Sequence, residues 1–189
     1  MADDKDLSGL DWFKRNHAKY PNSAKIADLD SGFKSNVKAF TDALKAAGAK
    51  VTVSATLRNP KRAALMHWAF KVAKGKVKAA AVPKIAGVRI TWDHGDDSKS
   101  VAAAAEMVGK SGFNIAFQPS LTSRHIQGKA IDMTITWSKS LTIKNRKGED
   151  VTIDSAPTNG RNKELHKVGA TYGVVKLVSD PPHWSTDGR

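Results

Sequence analysis

The sequence predicts an α+β protein in which helices pack on a mainly antiparallel sheet. Three observations lead there. Stretches with helical spacing of apolar residues dominate the first 110 positions; a cleanly alternating run occupies Ala130 to Trp137; and Asn145-Arg146-Lys147-Gly148 separates two short apolar runs in the manner of a hairpin.

Taken in order, residues 1 to about 28 read as a polar, irregular segment that packs on the domain through Trp12, Phe13 and Tyr20. Phe33, Val37, Phe40, Leu44 and Ala47 then fall on one helical stripe, with Asp30 or Ser31 as cap and Gly48 as stop. A strand is expected over Lys50 to Ala55. Asn59-Pro60 starts a second helix, with an N-cap followed by proline in the first turn, and Leu65, Trp68, Ala69, Val72 and Ala73 form its buried face. His67 projects with Lys71 and Lys74 to the other side and reads as a surface residue. Strands are expected over Val88 to Trp92 and Phe113 to Phe117, flanking an alanine-rich helix from Ser98 to Val108 capped by Asp97 or Ser98. The acidic run Asp93 to Asp97 lacks the spacing of a calcium loop and reads as a lead into that cap. Leu141 to Ile143 and Val151 to Ile153 form the hairpin. A short helix near Asn162 to Val168 precedes a last core strand, Val174 to Val178.

With 189 residues and no internal repeat or linker, a single domain over 1–189 is expected. Hydrophobic content of 40% with 26% charged residues excludes a disordered chain, and no run of about 18 apolar residues predicts a membrane span. The N-terminus is acidic and lacks an apolar core, so no secretory signal is read there. Zero cysteines exclude disulfides, thiolate metal sites and a cysteine nucleophile, so any metal must be held by histidine and carboxylate. The formal charge of +13 points to a polyanionic partner. A specific nucleic-acid reader would need aromatics interleaved with basic residues or a reading helix, and neither is evident.

Two separated segments carry the chemistry. Ser123-Arg124-His125-Ile126-Gln127-Gly128-Lys129-Ala130-Ile131-Asp132 supplies an imidazole and a strand-borne carboxylate, with Gly128 able to turn the chain back between them. Asp180-Pro181-Pro182-His183-Trp184 supplies a second imidazole on a stiff proline segment and a spare carboxylate three positions before it. Each histidine alone reads more simply as a loop residue. Together they provide three metal ligands, a position for water and an acid/base to work it.

The run Ser123-x-His125-x-x-Gly128-x-Ala130-x-Asp132, followed at distance by Asp180-x-x-His183-Trp184, resembles the signature of zinc D-Ala-D-Ala carboxypeptidases and L-alanyl-D-glutamate endopeptidases. These belong to a superfamily with hedgehog domains and lysostaphin-type peptidases. The resemblance implies a hedgehog/DD-peptidase-like fold, with one zinc ion on His125, Asp132 and His183 and Asp180 as catalytic base. Arg58, in Ala55-Thr56-Leu57-Arg58, matches the family arginine in altered surroundings, and would share with zinc the charge on the carbonyl oxygen. Ser123 would steady the ligand loop or touch substrate, and Trp137 and Trp184 would line the cleft. Aspartate at the base position is similar to the phage endopeptidase branch. The expected function is therefore hydrolysis of an amide bond in the peptidoglycan stem peptide by a monomeric phage endolysin. It would be made in the host cytoplasm and reach the wall after membrane disruption, with anionic envelope polymers held by its basic surface. A D-alanyl-D-alanine carboxypeptidase is the alternative within this chemistry; a basic non-catalytic wall- or nucleic-acid-binding protein is the alternative outside it.

Overall fold

The computed structural model describes residues 4–189; the first three positions of the acidic N-terminal segment lie outside the described residues. Among the described residues the structure is α+β, with five α-helices and an antiparallel sheet, and it falls into two compact units, each with its own apolar cluster. The length of the chain suggested a single domain over 1–189; the two clusters show two cores.

The first unit combines the chain up to Pro21 with Asn59–Thr122. It is helical: α1 (Leu10–Asn16), α3 (Pro60–Ala73) and α4 (Asp97–Val108). Trp12 and Phe13 anchor the N-terminal segment as expected, and pack with Leu65, Val72, Met107 and Trp92. Asn59 caps α3 by accepting from the amides of Lys61 and Arg62, as its sequence announces. Asp96, one residue earlier than expected, caps α4 by accepting from the Lys99 amide at 2.8 Å.

Both strands expected in this unit are absent. Val88 to Trp92 gains only a single bridge, Leu7 with Thr91, because among the described residues no neighbouring strand completes a ladder. Phe113 to Phe117 curls back instead. The amides of Phe113, Asn114 and Ile115 are committed to the carbonyls of Met107, Gly109 and Val108, which closes the end of α4. His67 is half-buried, and its Nδ1 lies 2.8 Å from the Pro119 carbonyl, so it pins that loop rather than standing free at the surface.

The second unit, Asn22–Arg58 with Ser123–Arg189, contains α2 (Ser31–Ala46), β1 (Lys50–Ala55), β2 (Ala130–Thr136), β3 (Leu141–Lys144), β4 (Asp150–Ile153), α5 (Lys163–Thr171), β5 (Val175–Lys176) and β6 (His183–Ser185). The four-stranded sheet has the order β1-β2-β6-β5, all antiparallel, and β3-β4 form a separate hairpin. Asp30 caps α2. The predicted stripe of α2 is buried at Phe33, Val37, Phe40 and Leu44, and shares one cluster with Ile131, Met133, Ile135, Leu165 and Trp184. The alternation of β2 thus turns its odd-numbered residues into the core and leaves Thr134 and Thr136 exposed, with Asp132 half-exposed. The expected last strand, Val174 to Val178, is only two residues long, because the chain turns at Leu177 to Asp180. Among the described residues no helix is long and apolar enough to cross a membrane.

Candidate metal centre

Strand register assembles the site. Asp132 of β2 lies directly opposite His183 of β6 on one side and opposite Ala55 of β1 on the other. Directly opposed residues in an antiparallel pair hold their Cβ atoms about 4.5–5.5 Å apart, close enough for their side chains to meet. The β1–β2 ladder carries a register shift between Val53 and Ala55 opposite this point, where the Ser54 hydroxyl donates to the Asp132 carbonyl at 3.2 Å. Such bulges bend a strand and redirect its side chains.

His125 arrives from a tight turn. The Ile126 amide bonds the Ser123 carbonyl, those of Gln127 and Lys129 bond Arg124, and Gly128 closes the turn in the left-handed region with φ 66°. A Cβ at Gly128 would stand 2.7 Å from the Asp30 amide nitrogen, so both the turn and the close approach require glycine. The Ser123 hydroxyl accepts from the His125 amide at 3.3 Å, within the same turn. Arg124 pairs with Asp187, tying the turn to the C-terminal segment.

The result is a nearly equilateral triangle of ligand atoms. His125 Nε2 lies 3.2 Å from Asp132 Oδ1, His183 Nδ1 lies 3.1 Å from the same oxygen, and the two nitrogens are 3.1 Å apart. The outer nitrogen of each ring is engaged: His125 Nδ1 donates to the Thr56 carbonyl at 2.6 Å, and His183 Nε2 donates to the Arg189 main-chain oxygen at 3.2 Å. In a neutral imidazole that arrangement puts both remaining lone pairs on the inward nitrogens. Three acceptors then face one another at hydrogen-bond distance, which is repulsive unless a proton or a cation stands among them. A tetrahedral ion with bonds of about 2.0–2.1 Å spaces its ligands about 3.3–3.4 Å apart, so the triangle fits such an ion with a slight expansion.

Without an ion, the same geometry redistributes protons. Burial opposes the charged form of Asp132, yet hydrogen bonds from His125 and His183 and their charges hold its carboxyl far below the usual range. Burial likewise opposes the imidazolium of His183, but the Asp132 hydrogen bond, the Arg189 oxygen and the charges of Asp132 and Asp180 raise its pKa.

Asp180 is exposed, and its charge is felt at His183. The His183 amide donates to the Asp180 carbonyl at 3.1 Å, so one short turn links the spare carboxylate to the ligand. Among the described residues the Asp180 carboxylate makes no ion pair. Arg58 is half-buried; its amide donates to the His125 carbonyl at 3.0 Å, which fixes its backbone against the ligand turn. Trp184 and Trp137, expected along the cleft, belong instead to the core: Trp184 is 0% and Trp137 9% exposed, and Trp184 packs on Phe40 and on the edge of His166. The hydrophobic pattern puts odd-numbered residues of β2 inward, and Trp137 follows it.

Three participants escaped the sequence reading. Thr56 acts through its carbonyl, which no residue type advertises. His166 Nε2 lies 3.0 Å from the Gly160 carbonyl and holds a neighbouring turn. Lys176 is buried, and its ammonium donates to the carbonyls of Leu177 and Asp180 at 2.5 Å each and of His183 at 3.0 Å. Burial lowers the pKa of Lys176, as does the charge of Arg161, against the pull of Asp180 and Asp132. A lysine inside Val174-Val175-Lys176-Leu177-Val178 was the available signal, since a buried ammonium needs several acceptors. The chain matches no protein-family model, no curated protein and no solved structure.

Proposed function

We propose that this chain is a zinc-dependent peptidase of the peptidoglycan stem peptide, with a hedgehog/DD-peptidase-like second unit, acting as an L-alanyl-D-glutamate endopeptidase of the phage endolysin kind. One observation carries the reading: the three acceptor atoms of His125, Asp132 and His183 within 3.1–3.2 Å of one another, each ring fixed by a hydrogen bond on its far side. The motif resemblance adds the substrate class.

His125, Asp132 and His183 would hold the ion. Zinc bound there supplies Lewis acidity toward a carbonyl and a water acidic enough to ionise near neutral pH. The remaining work belongs to the chain. Asp180, exposed and close to His183, takes the proton of the attacking water and delivers it to the leaving amine. Arg58, anchored on the ligand turn, shares the charge that grows on the carbonyl oxygen, where one positioned donor is typically worth about 3–4 kcal/mol. The Thr56 and Arg189 oxygens keep both imidazoles in the tautomer that binds. The excess of basic residues favours residence on anionic envelope polymers.

The test is a digest of purified peptidoglycan with fragments identified by mass spectrometry. New N-terminal D-Glu is expected, abolished by chelator and restored by zinc; free D-Ala would instead assign the carboxypeptidase. Asp180→Ala is expected to lose hydrolysis while retaining metal. A zinc-loaded protein that cuts no stem-peptide bond, or full activity in Asp180→Ala, overturns the reading.

A further inference from the structure

Next to the metal centre the sheet is interrupted. β6 pairs with β2 only along Ala130, Ile131 and Asp132, and β2 regains a partner on that side only at the bridge between Thr136 and Asn159. The interval holds a cavity of about 390 Å³ whose lining includes Met133, Thr134, Gly160, Arg161 and Pro182. Two of these are chain neighbours of ligands: Met133 follows Asp132, and Pro182 precedes His183.

Fixed main chain forms the margins of this cavity. At one end the Met133 amide donates to the Pro182 carbonyl at 2.9 Å; at the other the Gly160 amide donates to the Ile135 carbonyl at 2.9 Å. The Gly160 carbonyl, which a continuing ladder would turn toward β2, is engaged by His166. The next residue is Arg161, its amide held by the Asn159 side chain at 2.9 Å. Among the described residues Arg161 is the one charged residue lining the cavity; it is exposed, and no carboxylate among them lies within ion-pair distance of it. A turn held by main-chain hydrogen bonds thus presents a guanidinium without a carboxylate partner at a mainly apolar recess, whose lining includes the chain neighbours of Asp132 and His183.

We propose that this cavity is the subsite for the substrate residue that follows the scissile bond, and that Arg161 binds that residue's free carboxylate. The inference rests on the peptidase reading above. A guanidinium matches a carboxylate with two parallel hydrogen bonds, which gives orientation as well as affinity. A residue joined onward through its side chain, or one at the end of its chain, keeps such a carboxylate next to the amide to be cut. The subsite thus serves stem peptides and discriminates against ordinary polypeptides, in which the equivalent group is an amide.

Matched synthetic stem peptides test this, one with a free carboxylate on the residue after the cleaved bond and one with the carboxamide. The zinc-loaded wild-type chain is expected to prefer the acid. Arg161→Ala should raise KM for the acid about tenfold or more with little change in kcat, and leave the amide unaffected, so that the two substrates converge. Arg161→Lys should recover part of the preference. Calorimetry with the cleavage product carrying the free acid, on the metal-free protein, should show the same loss in Arg161→Ala. Equal sensitivity of acid and amide to Arg161→Ala, or product binding that the substitution does not change, overturns the subsite. No cleavage of either peptide by the wild-type chain overturns the peptidase reading on which it stands.

Discussion

Asp132 serves two imidazoles with one oxygen, and that sharing has a pH signature in the metal-free protein. A histidine whose folded pKa is raised contributes stability that is present below its unfolded value, about 6.5, and lost as pH rises through the folded value. A carboxylate whose pKa is depressed contributes stability present above its unfolded value, about 3.9, and lost as pH falls through the folded one. His183 and Asp132 shift in these two directions, so their joint contribution is greatest in mildly acid solution. With chelator present, the stability difference between the wild-type chain and His183→Gln should shrink from pH 5.5 to pH 8, as read by urea unfolding. With zinc present it should grow, because the ligands must shed protons to bind. A chelated difference independent of pH would refute the assignment of charge.

Lys176 matters at the same scale. Its three carbonyl partners belong to Leu177, Asp180 and His183, the segment that carries the proposed base and the last ligand. Lys176→Cys should weaken metal affinity about 10- to 100-fold, as loss of groups that orient ligands does. The chain has no cysteine of its own, so aminoethylation of that thiol would restore an ammonium at this position alone. Recovery of the d–d spectrum of bound cobalt after alkylation is the expected outcome; unchanged affinity in Lys176→Cys would show that the lysine does not hold the segment.

Among the elements, the turn from Ser123 to Gly128 does the most with the fewest residues. Gly128→Ala places a Cβ against the Asp30 amide and a side chain in the left-handed region, which alone costs about 1–2 kcal/mol. Because the Gly128 amide bonds the His125 carbonyl, the same change should displace the ligand. A lower midpoint in thermal unfolding together with weakened zinc binding is expected; a loss of stability with normal metal affinity would separate the turn from the site. This turn was legible because glycine between two prospective ligands has few other uses. Helix α2, strand β2 and the hairpin were legible for a related reason: their apolar spacing repeats with a period that only one backbone geometry satisfies. The strands expected at Val88 and Phe113 failed because a short apolar run records burial alone. In the first unit those side chains pack among helices, and the main-chain partners that make a strand are supplied elsewhere or not at all.

For the whole molecule, the two apolar clusters assign the proposed metal centre to one unit only: all three ligands, with Thr56 and Lys176, belong to the second. A ligand stabilises what binds it, by about 2.7 kcal/mol at one hundred times its dissociation constant. Zinc should therefore slow hydrogen exchange around residues 54–58, 123–133 and 176–185 and leave α3 and α4 unchanged. Equal protection of both units would mean that they unfold together.

Residue types and their spacing were enough to single out the three side chains that converge, the exclusion of thiolate chemistry and the strands and helices with sustained periodicity, because these depend on local chemistry and on backbone repeat. The division into two cores, the mutual distances of the three side chains, the burial of Trp137 and Trp184 and the carbonyls that orient each imidazole emerged only from the folded chain. Those properties depend on which distant segments come to lie side by side, and a main-chain oxygen carries the same label at every position of a sequence.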